Sequence, residues 1–279
     1  MLTFCISTYN NLNYLKLAIE SVRKYSYYTD ARFIIHAENC NDGTDEWLRD
    51  NSLHYNLEYY IDKNDVPIGI GGGMNFCANI VESKYICFLH SDMIVSKYWD
   101  KSLVEYAEQH SRTWVDSFRI EPDIFGTPPA RKATIQAQKN IFGEFYSNFN
   151  NDLFQNYAIE FTELNCNVTY PVVQGVSGLI EKSCWDEIGG NDAIFAPASY
   201  EDLDLFLRMQ QIGIDYASIG SSLLYHFGAR GSHFPDDNFS ISSNRQEQSE
   251  SKNHMLWIRK WNYLPRFNEY GMIIGLKYN

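Results

Sequence analysis

Short apolar runs alternate with amphipathic stretches through the first hundred residues. Leu2 to Thr8 is an apolar run of strand length. Asn10 and Asn11 then suit a helix N-terminus, and Leu12, Leu15, Ile19 and Val22 recur with the helical period. Arg32 to Ala37 is a second strand, centred on Phe33, Ile34 and Ile35. After Asp42-Gly43, Thr44 caps a short helix with Asp45 and Glu46 in its first turn. Leu57 to Ile61 gives a third strand, and Gly71-Gly72-Gly73 leads into a helix with Met74, Cys77, Ala78 and Val81 on one face. Tyr85 to Leu89 is the fourth strand, closed by His90-Ser91-Asp92.

Such β-α-β alternation predicts an α/β fold with a largely parallel sheet between helices. Right-handed crossovers bring the loops after the strands to one edge. Those loops hold Thr8-Tyr9-Asn10, Glu38-Asn39, Asp62-Lys63-Asn64 and His90-Ser91-Asp92.

Residues 111 to 170 are less periodic, with many aromatics, Asn and three prolines (Pro122, Pro128, Pro129). They read as a long insertion or lid, not as a sheet layer. Regularity returns at Val172 to Ile180, and a helix starts near Glu201 with Leu203, Phe206, Leu207 and Gln210 on one face. It closes at Gly213, and Ile214 to Ile219 and Leu223 to Phe227 read as further strands. The tail is polar from Asp236 through Ser251, then aromatic at Trp257, Trp261, Tyr263 and Phe267. The pattern predicts one domain over 1–279, divided into 1–110, an insertion 111–170, a second half 171–235 and a tail 236–279.

Composition narrows the classes. Of 279 residues, 44% are hydrophobic and 15% aromatic, which is enough for a packed core. A formal charge of −12 argues against nucleic acid as the main partner, because such binders carry a basic stripe. The six cysteines form no CxxC pair, and Cys5, Cys77 and Cys87 lie in apolar elements. Neither a zinc site nor a disulfide framework is expected, and a reducing, cytoplasmic location fits. The first residues have no basic region of a signal peptide, and no stretch approaches the ~20 apolar residues of a membrane helix.

The glycines do not make a dinucleotide fingerprint. Gly69-Ile70-Gly71-Gly72-Gly73-Met74 lacks the third glycine of GxGxxG and follows the third strand instead of the first. A flexible entry to a helix whose N-terminus faces an anion is the plainer reading. Three other groups carry candidate chemistry. Asp92 ends the fourth strand, where open α/β sheets bind ligands, although an Asp there also commonly starts a turn. Glu201, Asp202 and Asp204 open a helix; they complement its dipole, but mutual repulsion can also raise one carboxyl into the range of a base. His226 closes an apolar strand, either as a hydrogen-bonded structural residue or sharing a divalent ion with a carboxylate from another strand end. Arg230, just beyond, suits a phosphate.

In chain order these pieces resemble the family-2 glycosyltransferases, nucleotide-sugar-dependent enzymes of the GT-A fold. The resemblance rests on Ser7-Thr8-Tyr9-Asn10, Glu38-Asn39 with Asp42-Gly43-Thr44, and Met74-Asn75 where the family often has Arg-Asn. It continues with His90-Ser91-Asp92 at the Asp-x-Asp site, Gly189-Gly190-Asn191-Asp192, Glu201-Asp202 and His226. Residues 2–110 and 172–232 are covered, and the insertion and tail are unmatched. The resemblance implies a GT-A-like, Rossmann-like mixed sheet flanked by helices.

It also implies an inverting transferase that moves a sugar from a nucleotide-diphosphate sugar to a glycan or other hydroxyl acceptor. Thr8, Tyr9, Asn10 and Glu38 would line the base and ribose pocket, with Glu38 replacing the usual Asp, and Asp42 would face the nucleotide. Asn75, Ser91 and Arg230 join the donor-binding set. Asp92 would bind Mn2+ or Mg2+ with His226 as second ligand, Asp202 would be the general base, and Glu201 its neighbour or an acceptor contact. The first half then binds the donor, the second the acceptor, and the tail packs against it or mediates self-association. One departure is His90, which stands where the metal motif usually begins with Asp. Two alternatives share such a sheet: a non-catalytic nucleotide-sugar or glycan binder, and a nucleotidyltransferase. The latter expects a basic phosphate loop that Ser7-Thr8-Tyr9-Asn10-Asn11 does not supply.

Overall fold

The computed structural model describes residues 1–63, 65–122, 133–137, 141–172, 175, 177–228, 244–267 and 273–277. Among the expected features, Asn64, Pro128, Pro129, Val173, Gln174, Val176 and Arg230 lie outside the described residues. The first elements follow the predicted alternation: β1 (Leu2–Thr8), α1 (Leu12–Tyr25), β2 (Arg32–Glu38), α2 (Thr44–Asn51), β3 (Glu58–Asp62), α3 (Gly69–Asn79) and β4 (Tyr85–His90). Next come β5 (Met93–Val95), α4 (Trp99–Gln109), β6 (Thr113–Pro122), β7 (Thr134–Ala137), α5 (Asn151–Leu164), β8 (Thr169–Tyr170) and β9 (Gly178–Glu181). The chain continues through α6 (Lys182–Ile188), a 3-10 turn (Ala193–Phe195), α7 (Glu201–Gln211), β10 (Asp215–His226), α8 (Asn244–Trp261), β11 (Leu264–Phe267) and β12 (Ile273–Lys277).

The main sheet runs β3-β2-β1-β4-β9-β6-β10-β5, with β7 beside β6 and β8 beside β10, while β11 and β12 pair separately. β1 pairs in parallel with β2 and β4, β2 with β3, and β6 with β10. β9 lies antiparallel to both β4 and β6, so those two strands also share a direction. This is the mixed α/β sheet that the sequence predicts. Ser7 stands level with His36 on one side and His90 on the other. The C-terminal ends of the parallel strands therefore bring Thr8, Glu38, Asp62, His90, Glu121 and His226 to one edge.

Alternation along the strands divides the core between the two faces. Leu2, Phe4 and Ile6 of β1 pack with Leu15, Ile19 and Val22 of α1 and Leu103 of α4. Cys5 points the other way, to Cys77 and Ala78 of α3, in the cluster that also takes Phe154 of α5 and Phe206 of α7. All six cysteines are free, and only Cys166 is exposed. No helix among the described residues is long and apolar enough to cross a membrane.

Three expectations are corrected. The stretch read as an insertion or lid begins instead with β6, an inner strand between β9 and β10. Its apolar run is broken by Asp116, Ser117 and Arg119, which are all buried. Their partners lie far along the chain: Ser218 donates to Asp116, Ser117 and Ser222 share a 2.7 Å bond, and Arg119 donates to Ser177 at 3.0 Å. Buried polar groups are tolerated when paired in this way. The two late strands are in fact one, β10, with an irregular register between Ile219 and Leu223.

The third correction concerns the glycines, which lie inside α3 and do not lead into it. Each costs about 1 kcal/mol of helix stability relative to Ala. Close approach explains them. A Cβ on Gly73 would stand 2.1 Å from Ser7 Oγ, and one on Gly69, where φ is +69°, would stand 1.7 Å from the Pro197 carbonyl oxygen.

Candidate active site at the strand edge

Hydrogen bonds join the ends of β1 and β4. Thr8 Oγ1 donates to Asn11 Oδ1 at 2.6 Å, and Asn11 Nδ2 donates to Ser91 Oγ at 2.6 Å. Asn10, at φ 46°, accepts the Asn41 N–H on its side chain at 2.8 Å. Asp42 lies beside it: one carboxylate oxygen accepts from Leu12 N at 2.8 Å and the other from Thr44 Oγ1 at 2.6 Å. One side chain thus caps α1 and orders the start of α2. Tyr9 is half-buried on the same loop.

Glu38 ends β2 with its carboxylate buried against the first turn of α3. It accepts from Gly69 N at 3.2 and 3.1 Å with its two oxygens, and from Ile68 N. The anion expected at this helix N-terminus is therefore the protein's own. Further along α3, Asn75 exchanges two 2.8 Å bonds with the backbone of Asn191 and so ties this helix to Gly189-Gly190-Asn191-Asp192.

The metal candidates converge where the turn between β4 and β5 meets the end of β10. The antiparallel pairing of β5 with β10 sets His226 opposite Met93, one residue after Asp92, and Phe227 N donates to the Asp92 carbonyl at 3.1 Å. His90, Asp92 and His226 each present a ligand atom, and these atoms lie within 4.8 Å of one another. His226 Nε2 is 3.4 Å from Asp92 Oδ1, and the two imidazoles meet edge to face. His90, read as a lost carboxylate, is a third member of the cluster.

The residues fit a divalent ion. His90 Nε2 is buried and has no hydrogen-bond partner among the described residues. Burial, reinforced by His226, pushes its pKa down to about 3, so the lone pair a metal needs is not protonated. Burial also works against a charge on His226, but Asp92 and Glu121 outweigh it and hold that pKa up at about 9, so an ion would bind there by displacing the Nε2 proton. Two imidazoles and a carboxylate suit Mn2+ and other first-row ions better than Mg2+.

Glu121, at the end of β6, was missed by sequence reasoning. Its Oε1 lies 2.7 Å from His226 Nδ1 and 3.5 Å from Arg119 Nη1. A carboxylate on the far nitrogen fixes the tautomer and orientation of a ligating histidine. The only available signal was Glu121-Pro122 closing a strand, and the broken apolar run hid that strand.

The acid pair opens α7. Glu201 is buried, and its Oε2 has no partner among the described residues. Burial, with the Asp202 charge beside it, raises its pKa to about 8. It faces α3, since a Cβ on Gly71 would stand 3.5 Å from Glu201 Cγ and 3.1 Å from Asn191 Cβ. Asp202 is half-buried and accepts from Leu203 N at 2.8 Å. Asp204 is fully buried between Arg208, Lys260 and Trp261, and its role is structural.

Comparisons with known proteins follow this geometry. The family model described as "Glycosyl transferase family 2" matches residues 3–164. No curated protein matches the chain by sequence. Among solved structures, GalNAc-T7 with UDP, GalNAc and Mn2+ superposes with a TM-score of 0.60 at 13% identity, over 81% of this chain and 43% of that one. S. aureus TarS gives a TM-score of 0.54 at 12% identity, over 81% of this chain and 36% of that one. Its 1–349 fragment in complex with UDP gives 0.56 at 11%, over 80% and 59%. The chain thus spans less than two thirds of the length of each of these structures.

Proposed function

The chain belongs to glycosyl transferase family 2, and from that premise we propose that it is an inverting, metal-dependent transferase acting on a nucleotide-diphosphate sugar. The observation that carries the reading is the meeting of His90, Asp92 and His226 at the strand edge where the fold binds ligands. GalNAc-T7, of the same fold, was crystallised with UDP and Mn2+, which supports the choice of donor and ion.

Thr8, Tyr9, Asn10 and Ser91 belong to the donor side, with Glu38, Asp42 and Asn75 shaping it from behind. The phosphate role of Arg230 rests on its sequence position alone. An ion held by His90, Asp92 and His226 would neutralise charge growing on the departing diphosphate. Glu121 keeps the His226 ring turned so that Nε2 faces Asp92. Asp202 takes the proton from the acceptor hydroxyl as that oxygen attacks the anomeric carbon, and the leaving diphosphate carries away the bond's electron pair. Single displacement inverts the sugar. Glu201 keeps its proton near neutrality and so leaves base work to Asp202. The acceptor is a hydroxyl of a glycan or related molecule, and the compartment is cytoplasmic.

The test is a donor panel assayed for nucleoside diphosphate release, with Mn2+, with Mg2+ and with chelator, in the presence and absence of acceptors. Release that requires the ion and increases with an acceptor supports the reading. Nucleotide binding without turnover would replace it with a non-catalytic binding protein.

A further inference from the structure

We propose that Asn253 of α8 is a positioning residue for the Glu201-Asp202 pair, an inference that rests on the transferase reading above. Asn253 is fully buried, although α8 lies in the tail and outside the matched family segment. Its Nδ2 donates to the carbonyls of Phe195 at 2.6 Å, Ala198 at 2.8 Å and Ser199 at 3.0 Å. One amide group with two protons therefore gathers three carbonyls of the turn that delivers α7.

That turn needs holding. Ser199 and Tyr200 have φ of 76° and 72°, two consecutive left-handed residues without a glycine between them. Such a conformation persists only where its surroundings over-determine it. The rest of α8 supplies this from both sides of the acid pair. His254 Nδ1 lies 2.6 Å from Tyr200 Oη, and Lys260 Nζ reaches Asp192 at 2.7 Å and Asp204 at 2.6 Å. Trp261 Nε1 donates to Asp204 at 2.9 Å.

On the opposite side the same turn presses on the donor half, where Ile70 N donates to Pro197 O at 3.3 Å. The segment carrying Glu201 and Asp202 is thus clamped between α3 and α8. A base displaced by about 1 Å loses roughly 10²-fold in rate. α8 thereby sets the distance between Asp202 and a donor bound at the sheet edge.

The experiment compares Asn253→Ala with His254→Phe, which keeps a ring against Tyr200 and removes the hydrogen bond. Steady-state kinetics, donor affinity with Mn2+ and hydrogen exchange are measured on the full chain. We expect Asn253→Ala to lower kcat roughly 10²-fold with donor KM changed less than about threefold. Protection should fall over residues 195–205 and persist over 2–95. His254→Phe should move the same quantities in the same direction by less, and it carries the test if Asn253→Ala does not fold. Unchanged protection over 195–205, or kcat and donor KM shifting together with protection lost everywhere, overturns the proposal. Failure of the wild type to turn over any donor would overturn the transferase reading instead, and the exchange data alone would still decide whether Asn253 holds the turn.

Discussion

Glu121 grips His226 by the nitrogen that faces away from Asp92, with 2.7 Å from Glu121 Oε1 to Nδ1 and 3.4 Å from Nε2 to Asp92 Oδ1. Replacing Glu121 with Ala frees the ring to rotate and removes a neighbour that raises its basicity. Outer partners of this kind are worth about 10–100-fold in metal affinity. Mn2+ titration followed by electron paramagnetic resonance should show that loss, with Glu121→Gln intermediate. Wild-type affinity in Glu121→Ala would remove the orienting role.

Asp202→Asn keeps the shape of the side chain and removes its capacity as a base. Turnover should fall about 10²–10⁴-fold. Nucleotide affinity, measured by calorimetry, should stay within about twofold, because the proposed donor site uses other strand ends. Normal turnover would move the base elsewhere.

The neighbouring acid behaves differently. Burial and the Asp202 charge hold the Glu201 pKa at about 8, against 4.5 for an ordinary glutamate. Below pH 4.5 the folded and unfolded chains both hold the proton. Between pH 4.5 and 8 the unfolded chain releases it while the fold keeps it, so this group's contribution to stability is progressively lost as pH rises. Glu201→Gln should therefore gain on the wild type with rising pH, by on the order of 1–3 kcal/mol at pH 8 and by little at pH 4. Thermal melts across that range check the trend, and parallel curves would refute it.

Gly73→Ala places a methyl group against Ser7 Oγ and His36 Nδ1, which would lie 2.1 and 2.9 Å away. Overpacking of this kind costs about 1–3 kcal/mol, more than helix propensity returns. A lower urea midpoint with an unchanged slope is the expected result. A stabilised variant would show that α3 can lift from the sheet freely.

The first half was readable from sequence because its contacts are local in pattern. β1, β2 and β4 are continuous apolar runs, and each predicted strand lies within a residue or two of the observed one. Met74, Cys77, Ala78 and Val81 are all buried, as their spacing required. The second half resisted for a physical reason. β6 buries Asp116, Ser117 and Arg119, and only partners some 60 to 100 residues away make that acceptable. No local pattern reports such partners.

The candidate site divides along the same line. Asp92 and His226 were legible as polar residues ending apolar strands, and the structure brings them together. His90 looked like a missing carboxylate, and only its approach to Asp92 and His226, with ligand atoms within 4.8 Å of one another, makes it a candidate nitrogen ligand. Glu38 and Asp42 were expected to face the nucleotide. Their carboxylates serve helix starts, at α3 for Glu38 and at α1 and α2 for Asp42. Sequence identifies a carboxylate at a strand end without saying which backbone amides will claim it.

The strand order has a consequence for how the protein matures. β3, β2, β1 and β4 are contiguous in both sequence and space, so a nascent chain can assemble them with short-range crossovers. β9, β6, β10 and β5 interleave segments spread from Met93 to His226, and His226 arrives last among the cluster's side chains. During synthesis the first four strands can form while His90 and Asp92 still wait for His226. An ion bound by all three side chains would then be captured only once the sheet is complete, and added Mn2+ should slow unfolding while leaving the refolding rate unchanged.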